Sequence, residues 1–186
     1  MRILTGTLRG KPILFRPNAR LRPTADKVRK AIFDILKDKV PDSTVLDLFS
    51  GTGALGFEAL SQGAKEATFV EADERQARQI GENAVRLGLD KACRVISKDA
   101  FRALYLLNEQ GKSYDIVFLD PPYEKGLGSS ALAMISAGRI VHEDSLVVME
   151  SRAKEREPDV GKGLERLKSR VYGQTRILIY RMRALP

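Results

Sequence analysis

The sequence is poor in the residues that bind metals, form disulfides or cross membranes. Its 186 residues include one cysteine, one histidine and no tryptophan. A lone cysteine cannot form an internal disulfide, and with a single histidine it cannot complete the four ligands of a structural zinc site. No apolar run approaches the roughly 20 residues that a spanning helix needs, and the start lacks a signal-peptide pattern. We therefore expect a metal-free protein of the reducing cytoplasm.

Acidic residues are also absent before Asp26, which leaves a basic N-terminal arm. Residues 1–40 hold 11 Lys and Arg and three Asp, which accounts for the whole net charge of +8. A concentrated basic arm on a neutral body favours a phosphate-rich partner, because each cation that neutralises a phosphate releases counterions. The alternative is a solvated terminus that only aids solubility. The candidate contacts with nucleic acid are Arg2, Arg9, Lys11, Arg16, Arg20 and Arg22.

From residue 44 onward, short apolar segments alternate with helical patterns. Strands are predicted at 45–49, 67–70, 94–96, 114–119 and 146–150, and helices at 55–62, 74–87, 100–109 and 129–137. This alternation predicts an α/β fold with a parallel sheet covered by helices on both faces. Segments 164–172 and 175–182 flank Gly173 and predict an antiparallel C-terminal hairpin. The result is a Rossmann-like, mostly parallel sheet of seven strands.

The first 40 residues predict a small extension to that sheet. Residues 1–15 alternate weakly, which predicts a short β-hairpin with its turn near Gly10. Thr24 is a good N-cap for a helix with apolar residues from Val28 to Leu36, and Pro41 is expected to end it. We therefore divide the chain into a basic hairpin and helix at 1–40, a candidate nucleic-acid-binding extension, and an α/β domain at 41–186.

A glycine-rich loop, G-T-G-A-L-G at Gly51–Gly56, follows the first predicted strand and opens a helix. This is the G-x-G-x-x-G pattern of dinucleotide sites, in which glycines let the backbone approach a ligand. Asp47 argues against a pyrophosphate, since an anion there would meet a like charge. A carboxylate suits a cationic amine better, such as the ammonium group of S-adenosylmethionine. The alternative is that Asp47 caps a turn and the glycines serve packing.

The same loop resembles the D-x-F-x-G-x-G segment of Class I methyltransferases. This resemblance implies that S-adenosylmethionine is the cofactor and that the loop contacts it through Asp47, Phe49, Gly51, Thr52 and Gly53.

Acidic residues also end the second and third predicted strands. Glu71 is placed to accept hydrogen bonds from both ribose hydroxyls of a nucleotide. Methyltransferases of this class often bind the adenine amino group at the position of Asp99 and Ala100, but Asp99 could equally be the N-cap of the helix that begins at Ala100. Asp73 with Gln76 is typical of a capping pair, so we assign it to structure.

Asp120-Pro121-Pro122-Tyr123 follows the fourth strand, at the edge where open parallel sheets bind ligands. It resembles the [N/D]-P-P-[Y/F] motif of methyltransferases that modify amines on planar groups. Such an amine is a poor nucleophile, because its lone pair is delocalised into the ring. Asp120 and the Pro121 carbonyl can accept its N–H groups and aim the lone pair at the methyl donor, while Tyr123 stacks on the base. The alternative is a rigid turn. No general base is required, so His142 is expected in a surface loop.

The resemblance extends beyond the catalytic motifs. Arg2–Gly10 is similar to the R-I-x-x-G-x-x-x-G opening of the bacterial small-subunit ribosomal RNA guanine-N2 methyltransferase family. Leu21–Arg29 resembles the L-R-P-T-x-D-x-V-R segment of that family, with Lys27 where an arginine is expected. Val148–Ser151 and the hairpin around Gly173 complete a match over nearly the whole chain.

This resemblance implies methylation of the 2-amino group of one guanine in small-subunit RNA, with ribosomal proteins already assembled on it. Thr24 and Arg22 would then contact the methionine carboxylate, unless Thr24 only caps its helix. We expect a monomer, because a bulky ribonucleoprotein must reach the sheet edge.

Three other functions compete with this interpretation. A protein glutamine methyltransferase usually has Asn before the prolines and a separate N-terminal helical domain, whereas this chain has Asp120 and a basic arm. An adenine or cytosine amino-methyltransferase of DNA would share the chemistry, but the chain has no room for a target-recognition domain. An inactive RNA-binding assembly factor would not need Asp120, Gly51 and Gly53.

Overall fold

The computed structural model describes residues 1–15, 25–122, 126–158, 160 and 163–183. Its centre is one seven-stranded sheet in the order β3-β2-β1-β4-β5-β7-β6. The strands are β1 (Thr44–Asp47), β2 (Glu66–Glu71), β3 (Cys93–Ser97), β4 (Tyr114–Leu119), β5 (Val141–Arg152), β6 (Leu164–Tyr172) and β7 (Thr175–Met182). The helices are α1 (Asp26–Leu36), α2 (Ala54–Ser61), α3 (Glu74–Leu87), α4 (Ala100–Glu109) and α5 (Leu127–Ala137).

The first five strands are parallel and the last two are antiparallel, which confirms the predicted sheet. β1 pairs in parallel with both β2 and β4, whereas β7 is antiparallel to β5 and β6. β1 ends at Asp47, two residues earlier than predicted, and β2 and β3 each extend one residue further at both ends. β5 differs most, because it begins at Val141 rather than Leu146 and ends at Arg152 rather than Glu150. The pairing of β5 with β4 shifts register between Tyr114 and Ile116. The start of β5 was not predicted because the residues between Val141 and Leu146 are polar and interrupt the apolar pattern.

Two apolar cores lie on opposite faces of the sheet. Alternate strand residues such as Val45 and Phe69 pack under α1, α2 and α3, and their neighbours such as Leu46 and Val70 pack under α4 and α5. This is the alternation of a sheet buried on both faces. Ile3 belongs to the first core, so the N-terminal extension shares its packing with the sheet.

In the N-terminal extension the hairpin agrees with the prediction, whereas the helix differs in detail. Ile3 N–H donates to the Lys11 carbonyl at 3.0 Å and the Ile3 carbonyl accepts from Gly10 N–H at 2.8 Å, and the turn runs over residues 5–10, so it includes Gly10 as predicted. α1 begins at Asp26 with Ala25 at its N-cap and no side-chain cap. Thr24 lies outside the described residues. α1 also ends at Leu36, well before Pro41, because residues 37–39 tighten into a 3-10 turn.

A buried charge pair fastens the extension to α2. Glu58 is 1% exposed, and its carboxylate accepts from Leu4 N–H at 2.9 Å and from Thr5 N–H at 2.7 Å. Arg29 is fully buried, and its Nε lies 3.6 Å from Glu58 Oε2. Close packing completes the junction, since a Cβ on Gly6, where φ is +75°, would lie 1.9 Å from the Ser61 carbonyl oxygen. The extension is therefore part of the folded core.

We expect Glu58→Ala to lower the free energy of unfolding by about 3–5 kcal/mol, because it removes the buried partner of Arg29, which keeps only the exposed Asp26 carboxylate at 3.1 Å, and the acceptor of Leu4 and Thr5 N–H. Urea denaturation measures the loss. Glu82→Ala, at an exposed site on α3, is the matched control and should stay within about 0.5 kcal/mol of wild type. A loss below about 1 kcal/mol for Glu58→Ala would show that the buried Glu58–Arg29 pair is not a main source of stability.

Candidate active site

The predicted site residues meet along one edge of the sheet. The register pairs Asp47 of β1 with Phe69 of β2 and with Phe118 of β4, so the carboxyl ends of these three strands lie together. β3 ends beside Glu71, which pairs with Ser97. Four neighbouring strands span about 14 Å at a spacing of about 4.8 Å. Strand order reverses between β1 and β4, which is the position where open α/β sheets bind ligands.

The glycine loop makes the tight turn that its sequence predicts. Gly51 has φ 52° and Gly53 has φ 76°, the left-handed region in which a side chain is strained. Gly53 N–H donates to the Ser50 carbonyl at 2.7 Å and Gly53 is the N-cap residue of α2. Thr52 is buried. The loop therefore leads the chain directly from β1 into the start of α2.

Asp47 is buried beneath this loop. Its carboxylate is 1% exposed, and Oδ2 accepts from Gly56 N–H at 3.1 Å in the first turn of α2. Burial raises the pKa of Asp47 to about 7; the Gly56 hydrogen bond opposes this and nearby Glu71 adds to it. Asp47 thus accepts a backbone hydrogen bond where the loop enters α2, as its predicted capping of a turn requires. Among the described residues, none of the groups that shift its pKa is a cation.

Glu71 braces the same loop from β2. Its Oε2 accepts from Gly51 N–H at 2.8 Å and its Oε1 from Asp73 N–H at 2.8 Å. Burial raises the pKa of Glu71, although both hydrogen bonds lower it. Each carboxylate oxygen has a second lone pair, so both can still accept from a pair of ligand hydroxyls.

Helix caps account for the next two acids along this edge. Asp73 accepts from Arg75 N–H and Gln76 N–H, as the structural assignment predicted. Asp99 Oδ1 accepts from Phe101 N–H and Arg102 N–H at 3.1 Å each, so its capping role is confirmed. The contact of Asp99 and Ala100 with adenine stays a prediction.

The Asp-Pro-Pro segment leaves the carboxyl end of β4. Asp120 is half-buried, Pro121 is buried and Pro122 is exposed, while Tyr123 lies outside the described residues. Leu119 of β4 pairs with Met149 of β5, and the same register extended by one residue places Asp120 beside Glu150.

Glu150 is a buried acid within β5 that the sequence reasoning named only as part of a family motif. An acid directly after the apolar run 146–149 was the available signal.

The N-terminus reaches the glycine loop, which the sequence reasoning missed. Met1 Sδ accepts from Arg29 Nη1 at 3.1 Å and from Thr52 Oγ1 at 3.6 Å. No pattern in the sequence could place residue 1 against residue 52, because this contact follows from the packing of the hairpin on α2.

Three of the predicted RNA contacts lie exposed on the hairpin. Arg2, Arg9 and Lys11 are exposed, and Arg2 Nη1 donates to the Gly10 carbonyl at 2.9 Å. Leu14 N–H donates to Asn83 Oδ1 at 3.0 Å, which seats the end of the hairpin on α3. The other predicted contacts, Arg16, Arg20 and Arg22, lie outside the described residues.

The single histidine lies at the opposite edge of the sheet. His142 is exposed within β5, not in a loop as expected, and its Nε2 lies 3.1 Å from Oδ1 of Asp115 near the start of β4. Within the described ranges, no helix has the length and apolar composition of a membrane span. The same ranges contain no group of three or more His, Cys, Asp or Glu that could hold a metal ion.

Comparison with known proteins places the chain among methyltransferase relatives. The ribosomal RNA small subunit methyltransferase D of Escherichia coli is 32% identical over 99% of this chain and 91% of that protein. YlbH of Bacillus subtilis, named as a candidate rRNA methyltransferase, is 32% identical over 98% of this chain and its own full length. The solved structure of yhhF from Escherichia coli, named as a candidate methyltransferase, has a TM-score of 0.87 at 29% identity and covers 100% of this chain and 99% of that one.

A family model described as "Conserved hypothetical protein 95" matches residues 1–181. The match includes the basic hairpin and α1 as well as every strand of the sheet except the last residue of β7. The chain therefore belongs to the Conserved hypothetical protein 95 family.

Proposed function

We propose that the chain transfers a methyl group from S-adenosylmethionine to the 2-amino group of a guanine in small-subunit ribosomal RNA. One observation carries the proposal: Asp120 and the Pro121 carbonyl follow β4 directly beside the glycine loop of β1, across the reversal of strand order. The full-length relatives named as ribosomal RNA methyltransferases support the RNA target. The protein acts as a monomer in the cytoplasm, on subunits that already carry proteins.

The residues around the glycine loop fit this cofactor. Asp47 is a buried acid and Glu71 a half-buried acid of like charge, and burial raises the pKa of each. A cationic ammonium group near Asp47 would stabilise its ionised form, and Glu71 would accept from the ribose hydroxyls. Phe49, Gly51, Thr52 and Gly53 would line the ligand, with Asp99 and Ala100 at adenine and Thr24 at the methionine carboxylate. When bound, the cofactor supplies an electrophilic methyl group on a sulfonium sulfur.

The groups of β4 perform the substrate half of the reaction. Asp120 and the Pro121 carbonyl accept the two N–H groups of the guanine amine, and the adjacent prolines keep that carbonyl rigid. These bonds turn the nitrogen lone pair out of the ring plane and towards the methyl carbon. Positive charge then develops on nitrogen beside two fixed acceptors. The new ammonium is acidic and releases its extra proton to water. Tyr123 stacks on the extruded base.

Asp120→Ala is expected to reduce methyl transfer by at least about 100-fold, as the loss of one fixed charge-stabilising group does. Cofactor affinity should stay within about tenfold of wild type, because Asp120 acts on the amine. Transfer of tritiated methyl groups and calorimetric titration with the cofactor measure the two effects. Asp90→Ala, at an exposed site before β3, is the control. Full activity in Asp120→Ala would contradict the proposed mechanism.

Cofactor affinity is expected to fall as the pH drops below about 7, the pKa of Asp47 in the free protein. The sign follows from linkage: a cationic ligand binds the ionised carboxylate, so bound cofactor lowers this pKa and a proton must leave on binding at acidic pH. Asp47→Asn should bind weakly and with little change between pH 5.5 and 8. If the wild-type affinity for the cofactor is constant over this pH range, Asp47 does not contact the ammonium group.

Replacing Arg9, Lys11 and Arg16 together with Ala is expected to weaken RNA binding and to lower the slope of log affinity against log salt by about 2, since each phosphate contact contributes about 0.7–0.9. The matched control replaces Lys65, Lys112 and Arg139, three exposed cations before β2, β4 and β5 at the other edge of the sheet. An unchanged slope for the first variant, or an equal change for the control, would place the RNA elsewhere.

A further inference from the structure

A second surface beside the sheet edge combines exposed aromatic and cationic side chains. It comprises Lys98, Phe101, Arg102, Tyr105 and Leu106, which we call the α4 patch, and these residues line an open cleft of about 410 Å³. Tyr105 is 60% exposed and Leu106 36% exposed. The cleft falls within the roughly 300–1,000 Å³ of ligand pockets, so it has room for one planar base.

Stability does not explain the composition of the α4 patch. The side of α4 that packs on the sheet consists of Ala103, Leu104 and Leu107, which are all buried. Tyr105 lies on the outer side, three and four residues from Arg102 and Phe101, at the spacing of neighbouring side chains on a helix. Single exposed apolar residues are common on helices, but a tyrosine beside Phe101, Lys98 and Arg102 combines a ring with two cations, the composition of surfaces that bind unpaired nucleotides.

The α4 patch begins at the same edge of the sheet as the proposed reaction centre, three strands away from it, and lies on the other face of the sheet from the basic hairpin. Lys98 follows the carboxyl end of β3, and Tyr105 is about 8 Å along α4 from its first residue at 1.5 Å per residue. α4 packs in the core opposite to that of α1, α2 and Ile3. An RNA whose target base enters the edge at β4 therefore has its flanking nucleotides within reach of both faces.

We propose that the α4 patch binds a second, unpaired nucleotide of the RNA substrate. This inference rests on the proposed function, because it takes RNA to be the substrate. Its base stacks on the Tyr105 ring, and Arg102 and Lys98 contact the adjoining phosphates. Arg102 Nε lies 3.4 Å from Asp99 Oδ2, but the Arg102 side chain is 83% exposed, so this pair is weak and can exchange for a phosphate. The positive charge of Lys98 and Arg102 would repel the basic segments that are typical of RNA-bound proteins and would attract phosphates. It therefore favours RNA rather than such a protein as the occupant of the patch.

The test compares Tyr105→Ala and Tyr105→Phe in binding to protein-free small-subunit ribosomal RNA. Tyr105→Ala should weaken binding by about tenfold, the loss of one stacked base, whereas Tyr105→Phe keeps the ring and should stay within about twofold. Arg102→Ala should lower the salt slope by about one phosphate contact. Val85→Ala, at an apolar residue of α3 that is 67% exposed, is the control for removing an exposed apolar side chain. Cofactor affinity should be unchanged in the Tyr105 and Val85 variants.

Two results would overturn this site. One is RNA affinity in Tyr105→Ala equal to that of wild type. The other is a defect that occurs with assembled subunits and not with free RNA, which would assign the patch to a ribosomal protein. The two proposals fail separately: wild-type protein that methylates no RNA contradicts the proposed function, whereas normal RNA affinity and methyl transfer in Tyr105→Ala contradict only the second contact.

Discussion

The parallel pairing of β1 with β4 is the constraint on which the site depends. Each strand carries one half of the proposed site at its carboxyl end, the glycine loop after β1 and Asp120 after β4, although 66 residues lie between the end of β1 and the start of β4 along the chain. The Val45–Ile116 register aligns the two ends, and Leu48 N–H extends the ladder to the Phe118 carbonyl at 3.0 Å. The two apolar cores hold this register, because a slip of either strand by one residue would move each of its side chains to the opposite face of the sheet.

The basic hairpin connects to the same centre through buried polar contacts. Glu58 and Arg29 join it to α2, and Met1 lies between Arg29 and Thr52 of the glycine loop. Phe33 of α1 contacts Phe118 of β4 at 5.7 Å between ring centroids. The basic hairpin and the glycine loop are thus parts of one packed unit, which fits the proposal that RNA bound to the hairpin is oriented against the cofactor site.

Apolar periodicity and caps were enough to predict most of the fold. The bounds of α3, α4, β4, β6 and β7 are those predicted, because each has a clear period and a glycine, an acid or a turn at its ends. The early start of β5 was not predictable, since residues 142–144 are polar and bulge from the ladder. The hairpin turn includes Gly10 as predicted, but the packing of Gly6 on Ser61 was not predictable, because it is a tertiary contact.

The strand-end acids of the site could likewise be found from the sequence, but their local partners could not. The positions of Asp47, Glu71, Asp99 and Asp120 follow from strand ends alone. That Asp47 also caps α2, and that Met1 reaches the glycine loop, depends on packing between distant segments. The identity of the modified base depends on complementarity to RNA, which no strand pattern encodes.

The most direct test of the account is to incubate the protein with tritiated S-adenosylmethionine and assembled small subunits, digest the RNA to nucleosides and identify the labelled one. The account predicts a single labelled species, guanosine methylated on its 2-amino group, and no label when the RNA is replaced by DNA. Label on adenosine, on cytidine or on a protein side chain would contradict the central claim.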